Sequence, residues 1–106
     1  MGYLKINYHF DANLWRYSGK GGWYFVTLPR SLSDHIKMAH GCSQSSWGRL
    51  KVNVTVSSDK WTTSLWYDTK LCSYLLPIKA AIRQKNLLEV DHEISINIEI
   101  IDGLQI

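Results

Sequence analysis

The strongest constraint on the fold of this chain is the strict alternation of apolar and polar residues in two separate segments. From 50 to 56 and again from 94 to 100, every second residue is Leu, Val or Ile. A period of two places successive side chains on opposite faces of a strand, so each segment predicts a strand with one buried face. The predicted strands extend over 50–57 and 92–101.

Turn signals separate further alternating segments. The glycines of Ser18–Gly22 give the backbone the freedom that a hairpin loop needs. Ser58-Asp59 is a two-residue turn candidate. The remaining strands are predicted over 3–12, 23–28, 60–66 and 74–76.

Two short helices are predicted between the strands. Ser31 or Ser33 is a candidate N-cap for a helix that extends to about Ala39. Pro77 suits the first turn of a second helix, which residues 78–85 continue, because an N–H would have no partner in that turn.

The second helix has two predicted faces. Ile78, Ala81 and Ile82 are expected to face the core. Lys79 and Arg83 are four residues apart and therefore share another face.

The order of these elements predicts a single domain over residues 1–106. The strands come mainly as hairpins and the helices are short, which favours a small, mostly β barrel over a doubly wound parallel sheet. Cys42 and Cys72 form no Cys-x-x-Cys pair, so we expect thiols in a reducing compartment and place the protein in the cytoplasm. No segment approaches the roughly 18 apolar residues that span a bilayer, so we expect no membrane partner.

Five short motifs in a fixed order resemble those of DUF1905, a bacterial family of small domains of unknown function. The motifs are Phe10-Asp11-Ala12, Gly22-Trp23, Leu28-Pro29, Trp61–Leu65 (WTTSL), and Tyr74–Lys79 (YLLPIK) with Arg83 following. The resemblance implies a double-split β-barrel of five to seven strands with two short helices. AbrB-like and MazE-like DNA-binding regulators share that architecture. Some members of the family precede a helical YdeI or OmpD-associated segment, and we expect none of that segment's function here.

One position departs from the family pattern. Val90-Asp91 stands where the family has Gly-Asp before the last strand. A turn that needs a positive φ would be strained by valine, so we expect this corner to differ.

Charge is distributed unevenly along the chain. Residues 1–88 contain all twelve Lys and Arg against four acids, a formal charge of +8, and residues 89–106 contain five acids and no base, a charge of −5. This asymmetry indicates either an anion-binding face beside an acidic edge or an acidic strand whose field is cancelled by basic neighbours. The dispersal of the bases favours cancellation.

Lys79 and Arg83 are the first candidates for a ligand site. A cationic pair near a helix start can hold a phosphate or carboxylate, and Trp61, Thr63 and Ser64 could add a stacking surface and hydroxyl donors. The alternatives are a solvated helix face for the cations and a core position for Trp61.

The function predicted from these residues is that of a non-enzymatic binding or interaction module. Its ligand would be an anionic small molecule or an acidic group of a protein partner, and no cofactor, metal ligand or catalytic residue is assigned. A nucleic-acid-binding regulator is the alternative, with aromatic residues interleaved among bases but a small net charge and no recognised motif. These aromatic residues are Trp15, Trp23, Trp47, Trp66 and Tyr67.

An enzyme of unknown class is the second alternative. The four histidines lack His-Glu-x-x-His spacing, and Gly19–Gly22 lacks the length and trailing Lys-Ser/Thr of a phosphate-binding loop. Catalysis therefore has the weakest support.

Overall fold

The computed structural model describes residues 3–41 and 48–105, which form six strands and two helices. In chain order these are β1 (Tyr3–Arg16), β2 (Tyr24–Thr27), α1 (Arg30–His40), β3 (Arg49–Val56), β4 (Asp59–Asp68), β5 (Ser73–Pro77), α2 (Ala80–Lys85) and β6 (Glu93–Gln105). Cys42 and Trp47, for which the sequence predicts a thiol and an aromatic residue interleaved with bases, lie outside the described residues.

The strands close into a barrel in the order β1-β2-β5-β4-β3-β6, with β6 returning to β1. Every neighbouring pair is antiparallel. Closure removes the free edges at which an open sheet can pair with other chains. The predicted small, mostly β barrel with two short helices is confirmed.

The core lies inside the barrel because the register aligns the apolar positions of neighbouring strands. Val54 lies opposite Ile98, and Leu50 lies opposite Leu65. All four side chains are buried. A slip of one residue would turn a strand's apolar side chains outward, so burial fixes the register.

The helices lie near opposite ends of β4. On α1, Lys37 Nζ lies 3.9 Å from the centre of the Tyr67 ring, near the end of β4. At the end of α2, the Nζ of Lys85 lies 2.8 Å from Oδ1 of Asp59, which is at the start of β4. Ile36 of α1 and Ile82 of α2 join the core cluster, so each helix contributes to the barrel interior.

The predicted start of α1 was wrong by a few residues. The helix begins at Arg30 with Pro29 as N-cap and no side-chain capping bond. Ser33 is instead buried inside the helix, and its Oγ accepts a hydrogen bond from the Tyr74 amide over 3.1 Å. The hydroxyl joins α1 to β5 rather than capping the helix.

The predicted start of α2 was also wrong. Pro77 ends β5 and lies opposite Phe25 of β2, while the helix begins at Ala80 after the extended Lys79. A strand end tolerates proline because the ladder does not need its missing N–H there. Ala81, predicted to face the core, is exposed.

Two turns differ in detail from the sequence-based expectations. The β3–β4 turn is Ser57-Ser58, one residue earlier than predicted, and Ser57 has φ 54°. Before β6, the positive φ of 70° falls on Asp91 and not on Val90. Aspartate adopts this conformation more readily than valine, so the corner avoids the strain expected for valine.

Candidate binding surface

Side chains on the outside of the barrel form an aromatic cluster. The register places Trp15 of β1 beside Phe25 of β2, and Trp66 of β4 between Leu75 of β5 and Arg49 of β3. These positions alternate with core residues and therefore point outward. We call the outward cluster of Trp15, Tyr17, Trp23, Phe25 and Trp66 the aromatic face.

Phe25 is the centre of the aromatic face. Its ring centroid lies 5.3 Å from that of Trp15, 6.0 Å from that of Trp23 and 5.6 Å from that of Trp66. The Trp23 ring is nearly parallel to it, at 10°. Phe25 is only 3% exposed although it points away from the barrel interior. The face is thus a second apolar cluster, built outside the barrel.

The hairpin loop between β1 and β2 places Trp23 over this cluster. Gly21 and Gly22 have φ of 102° and 62°, which L side chains rarely adopt. A Cβ on Gly21 would lie 2.8 Å from Trp23 Nε1. Gly21, one of the glycines predicted for the hairpin, therefore also lets the indole ring approach the loop backbone.

The aromatic face remains open to solvent. Tyr17 is 45% and Trp23 is 41% exposed, far more than Phe25 beneath them. The five residues of the aromatic face line a depression of about 280 Å³, together with Lys20, Asp68 and Leu75. A contiguous exposed apolar surface of this kind marks an interaction site more often than scattered apolar residues do.

Cations lie at the edge of the aromatic face. The Arg49 guanidinium carbon is 4.7 Å from the centre of the Trp66 ring, within the range of a cation–π interaction. Lys20 lines the depression beside one acid, Asp68, whose Oδ1 accepts a hydrogen bond from the Leu71 amide over 2.9 Å. The surface can therefore stack a flat ring and attract a negative charge.

A second depression, of about 370 Å³, lies farther along the outer wall. Asn53 Nδ2 donates to Glu99 Oε1 over 2.9 Å, and Thr62 Oγ1 donates to Asn53 Oδ1 over 2.7 Å. Asn97 Nδ2 donates to Asn7 Oδ1 over 3.1 Å. We call this surface the amide pocket; it is lined by Asn7, Asn53, Val54, Thr55, Lys60, Trp61, Thr62, Asn97 and Glu99.

The two cations predicted from the sequence have different surroundings. Arg83 Nε donates to the Ile78 carbonyl over 3.2 Å, and the guanidinium carbon lies 3.7 Å from the centre of the Tyr24 ring. Both contacts anchor α2 to the barrel. Lys79 is exposed just before the helix.

The three predicted residues of β4 do not share one face. Trp61 lies opposite Val54 and packs against the core cluster, and Thr63 lies opposite Val52, so both point inward. Ser64 lies opposite Lys51 and points outward. Within 3–41 and 48–105, no hydrogen bond or ion pair joins these three residues to Lys79 or Arg83.

Part of the aromatic face is apparent in the sequence, but not as a cluster. Trp15, Trp23 and Trp66 belong to the aromatic residues that support the nucleic-acid alternative, but Tyr17 and Phe25 do not. The missing signal was the outward position of Trp15 and Trp66 in their strands, which follows from the alternation with core residues. That they meet depends on the pairing of β2 with β5, which the sequence does not specify.

The acid beside α2 is held in its charged form. Hydrogen bonds from Lys85 and then from Asn86 lower the pKa of Asp59, against a smaller opposing effect of desolvation. Charged hydrogen-bond donors favour the ionised carboxylate. Asp59 therefore joins α2 to β4 as an ionised carboxylate.

The described part of the chain offers neither a metal-binding cluster nor a membrane-spanning helix. Three or more His, Cys, Asp or Glu side chains do not converge there to hold a metal ion. No helix in the same residues is long and apolar enough to cross a membrane.

Comparison with known proteins adds the family. Curated protein sequences yield no match to this chain. The sequence profile described as "Domain of unknown function (DUF1905)" matches residues 10–98, which include the strands and helices from the second half of β1 to the middle of β6. This chain belongs to the DUF1905 family.

Proposed function

We propose that this protein is a non-enzymatic, cytoplasmic binding module whose aromatic face holds a flat ring bearing negative charge. The single observation that carries the proposal is the combination of the exposed Trp23 and Tyr17 with Arg49 at the edge of one surface. Stacking on an aromatic ring needs a flat partner, and a cation beside the ring favours a partner with an anionic group.

The proposal keeps the anionic ligand expected from the sequence but moves it to another surface. Arg83 stacks on Tyr24, which is partly buried against the core cluster, whereas the aromatic face offers the exposed rings of Trp23 and Tyr17. Binding by Lys79 and Arg83, with Trp61, Thr63 and Ser64, stays a prediction. The same experiment can compare the two surfaces.

Adenosine monophosphate is a suitable small probe because it combines a flat base with a phosphate. Quenching of tryptophan fluorescence would report its binding to the wild-type protein, and ribose 5-phosphate would test the anion without the ring. We expect quenching by the nucleotide and a much weaker response to the sugar phosphate, because stacking on an aromatic side chain contributes about 1–3 kcal/mol per base.

Two variants locate the site. Trp23→Ala should weaken nucleotide binding at least about fivefold, since 1 kcal/mol corresponds to that factor. The double variant Lys79→Ala/Arg83→Ala, with folding confirmed by circular dichroism, should bind as the wild type does. The reverse pattern would refute the aromatic face and support the helix site.

A further inference from the structure

The outer face of β3 and β4 connects the two depressions of the barrel wall. The outward positions of β4 run from Trp66 through Ser64 and Thr62 to Lys60, so they begin at the aromatic face and end in the amide pocket. Six residues of a strand span about 20 Å. We call this outward surface of β3 and β4 the ribbon.

Cations follow the whole length of the ribbon. Arg49 and Lys51 lie two residues apart on β3, and Lys60 lies on β4 at the far end, opposite Thr55. All three are exposed. Two acids lie at the ends of this surface, Asp68 in the depression of the aromatic face and Glu99 in the amide pocket. The three cations outnumber the two acids, so the strip between the stacking surface and the hydrogen-bonding one has a net positive charge.

We infer that a single-stranded nucleic acid binds along the ribbon, with a base stacked on the aromatic face and its phosphates beside Arg49, Lys51 and Lys60. This inference rests on the proposed function, since it names the polymer to which the stacked, negatively charged ring belongs. The amide pocket completes the site, because the hydrogen bond between Asn97 Nδ2 and Asn7 Oδ1 does not use Asn7 Nδ2 or Asn97 Oδ1, a donor and an acceptor that can pair with the edge of an unstacked base.

The chemistry of the strip favours a nucleic acid over an acidic peptide. Carboxylates could pair with the three cations but would not use the exposed rings of Trp23 and Tyr17. A nucleic acid has a flat ring and a negative charge in every unit, so one base can stack on the aromatic face at the end of the ribbon while the following phosphates lie beside the cations. The acidic peptide becomes one outcome of the test.

Fluorescence anisotropy with labelled oligonucleotides tests the inference directly. Adenylate oligomers of two and of about ten nucleotides, as DNA and as RNA, would be compared with a ten-residue polyglutamate at low salt. We expect the longer oligonucleotides to bind at least about tenfold more tightly than the dinucleotide, because only they reach both depressions. The DNA and RNA arms show whether the 2′-hydroxyl contributes.

Two neutralising substitutions test the path of the strand. Lys51→Gln/Lys60→Gln should weaken binding of the longer oligonucleotide about tenfold and lower the slope of log affinity against log salt by about 1.4, since each lost phosphate contact removes about 0.7 for single strands. The control Arg30→Gln removes an exposed cation from α1 instead. It should leave the salt slope unchanged.

Three results would overturn the inference. One is equal affinity for polyglutamate and the longer oligonucleotide, and another is an equal loss of affinity in the Arg30 control. The third is absence of oligonucleotide binding at low salt while adenosine monophosphate still quenches the tryptophans, which would leave the proposed function intact. Loss of the response to the mononucleotide as well would refute both proposals.

Discussion

Replacing Phe25 by Ala tests whether the aromatic face is a second apolar cluster. Phe25 points out of the barrel, where a substitution in an ordinary strand changes the free energy of unfolding by no more than about 0.5 kcal/mol. It is nevertheless 3% exposed and contacts the rings of Trp15, Trp23 and Trp66. A buried Phe→Ala substitution costs about 3–5 kcal/mol, because transfer energy is lost and a cavity remains.

Urea unfolding followed by far-ultraviolet circular dichroism measures this cost without relying on the tryptophans that the substitution disturbs. With a denaturant slope of about 1.5 kcal/mol per molar, the midpoint should fall by about 2 M or more. Phe25→Leu should cost far less because it keeps most of the apolar volume. Lys51→Ala, at another outward position of the sheet, should stay within about 0.5 kcal/mol.

A cost below about 1 kcal/mol for Phe25→Ala would refute the packing described for the aromatic face. It would mean that the rings around Phe25 do not exclude water from it. The proposed binding surface would then lose its rigid base.

Three further predictions concern stability. Burial, with a smaller effect of the neighbouring Tyr67, raises the pKa of Tyr74 from 10.0 to about 12. The stability that depends on the neutral form of Tyr74 is therefore complete below pH 10 and falls by about 3 kcal/mol as the pH rises through 12. Tyr74→Phe should remove this part of the alkaline loss, as measured by urea titrations at several pH values. The lowered pKa of Asp59 makes stability depend on pH in the opposite direction. The contribution of Asp59 to stability is complete above its ordinary pKa of 3.8 and is lost as the pH falls through the lowered value. Asp59→Asn should therefore make stability less dependent on pH in acid, and an unchanged acid profile would contradict the role of the carboxylate. Gly21→Ala should lower the melting temperature, because alanine is strained at the φ of this position. It should also shift the tryptophan emission maximum to longer wavelength, because the new Cβ displaces Trp23. Unaltered emission would contradict this loop geometry.

Local patterns predicted most of the fold. The alternation at 50–56 and 94–100 identified two strands whose apolar sides are buried in the barrel. Alternation within one segment indicates which of its side chains are buried. Because burial also fixes the register between strands, the same side chains face the core in the folded barrel. Element starts were less accurate, since Pro77 is compatible with either a strand end or a first helical turn and the pairing with Phe25 decides between them.

The candidate surface was less predictable because it depends on contacts across strands. Trp15 and Trp66 are 51 positions apart and meet a common neighbour, Phe25, only after β2 pairs with β5. By contrast, Lys79 and Arg83 are close in sequence, which made them visible early. Arg83 then stacks on Tyr24, a residue that no local pattern connects to α2.

Nuclear magnetic resonance of the tryptophan indole N–H groups tests the central claim most directly, because each ring of the chain has its own signal. During titration with adenosine monophosphate, the signals of Trp23 and Trp66 should shift together in a saturable manner. The signal of Trp61, which packs against the core cluster and lines the separate amide pocket, should not shift with this mononucleotide. Shifts at Trp61 with none at Trp23 and Trp66 would contradict the claim that the aromatic face is the binding surface.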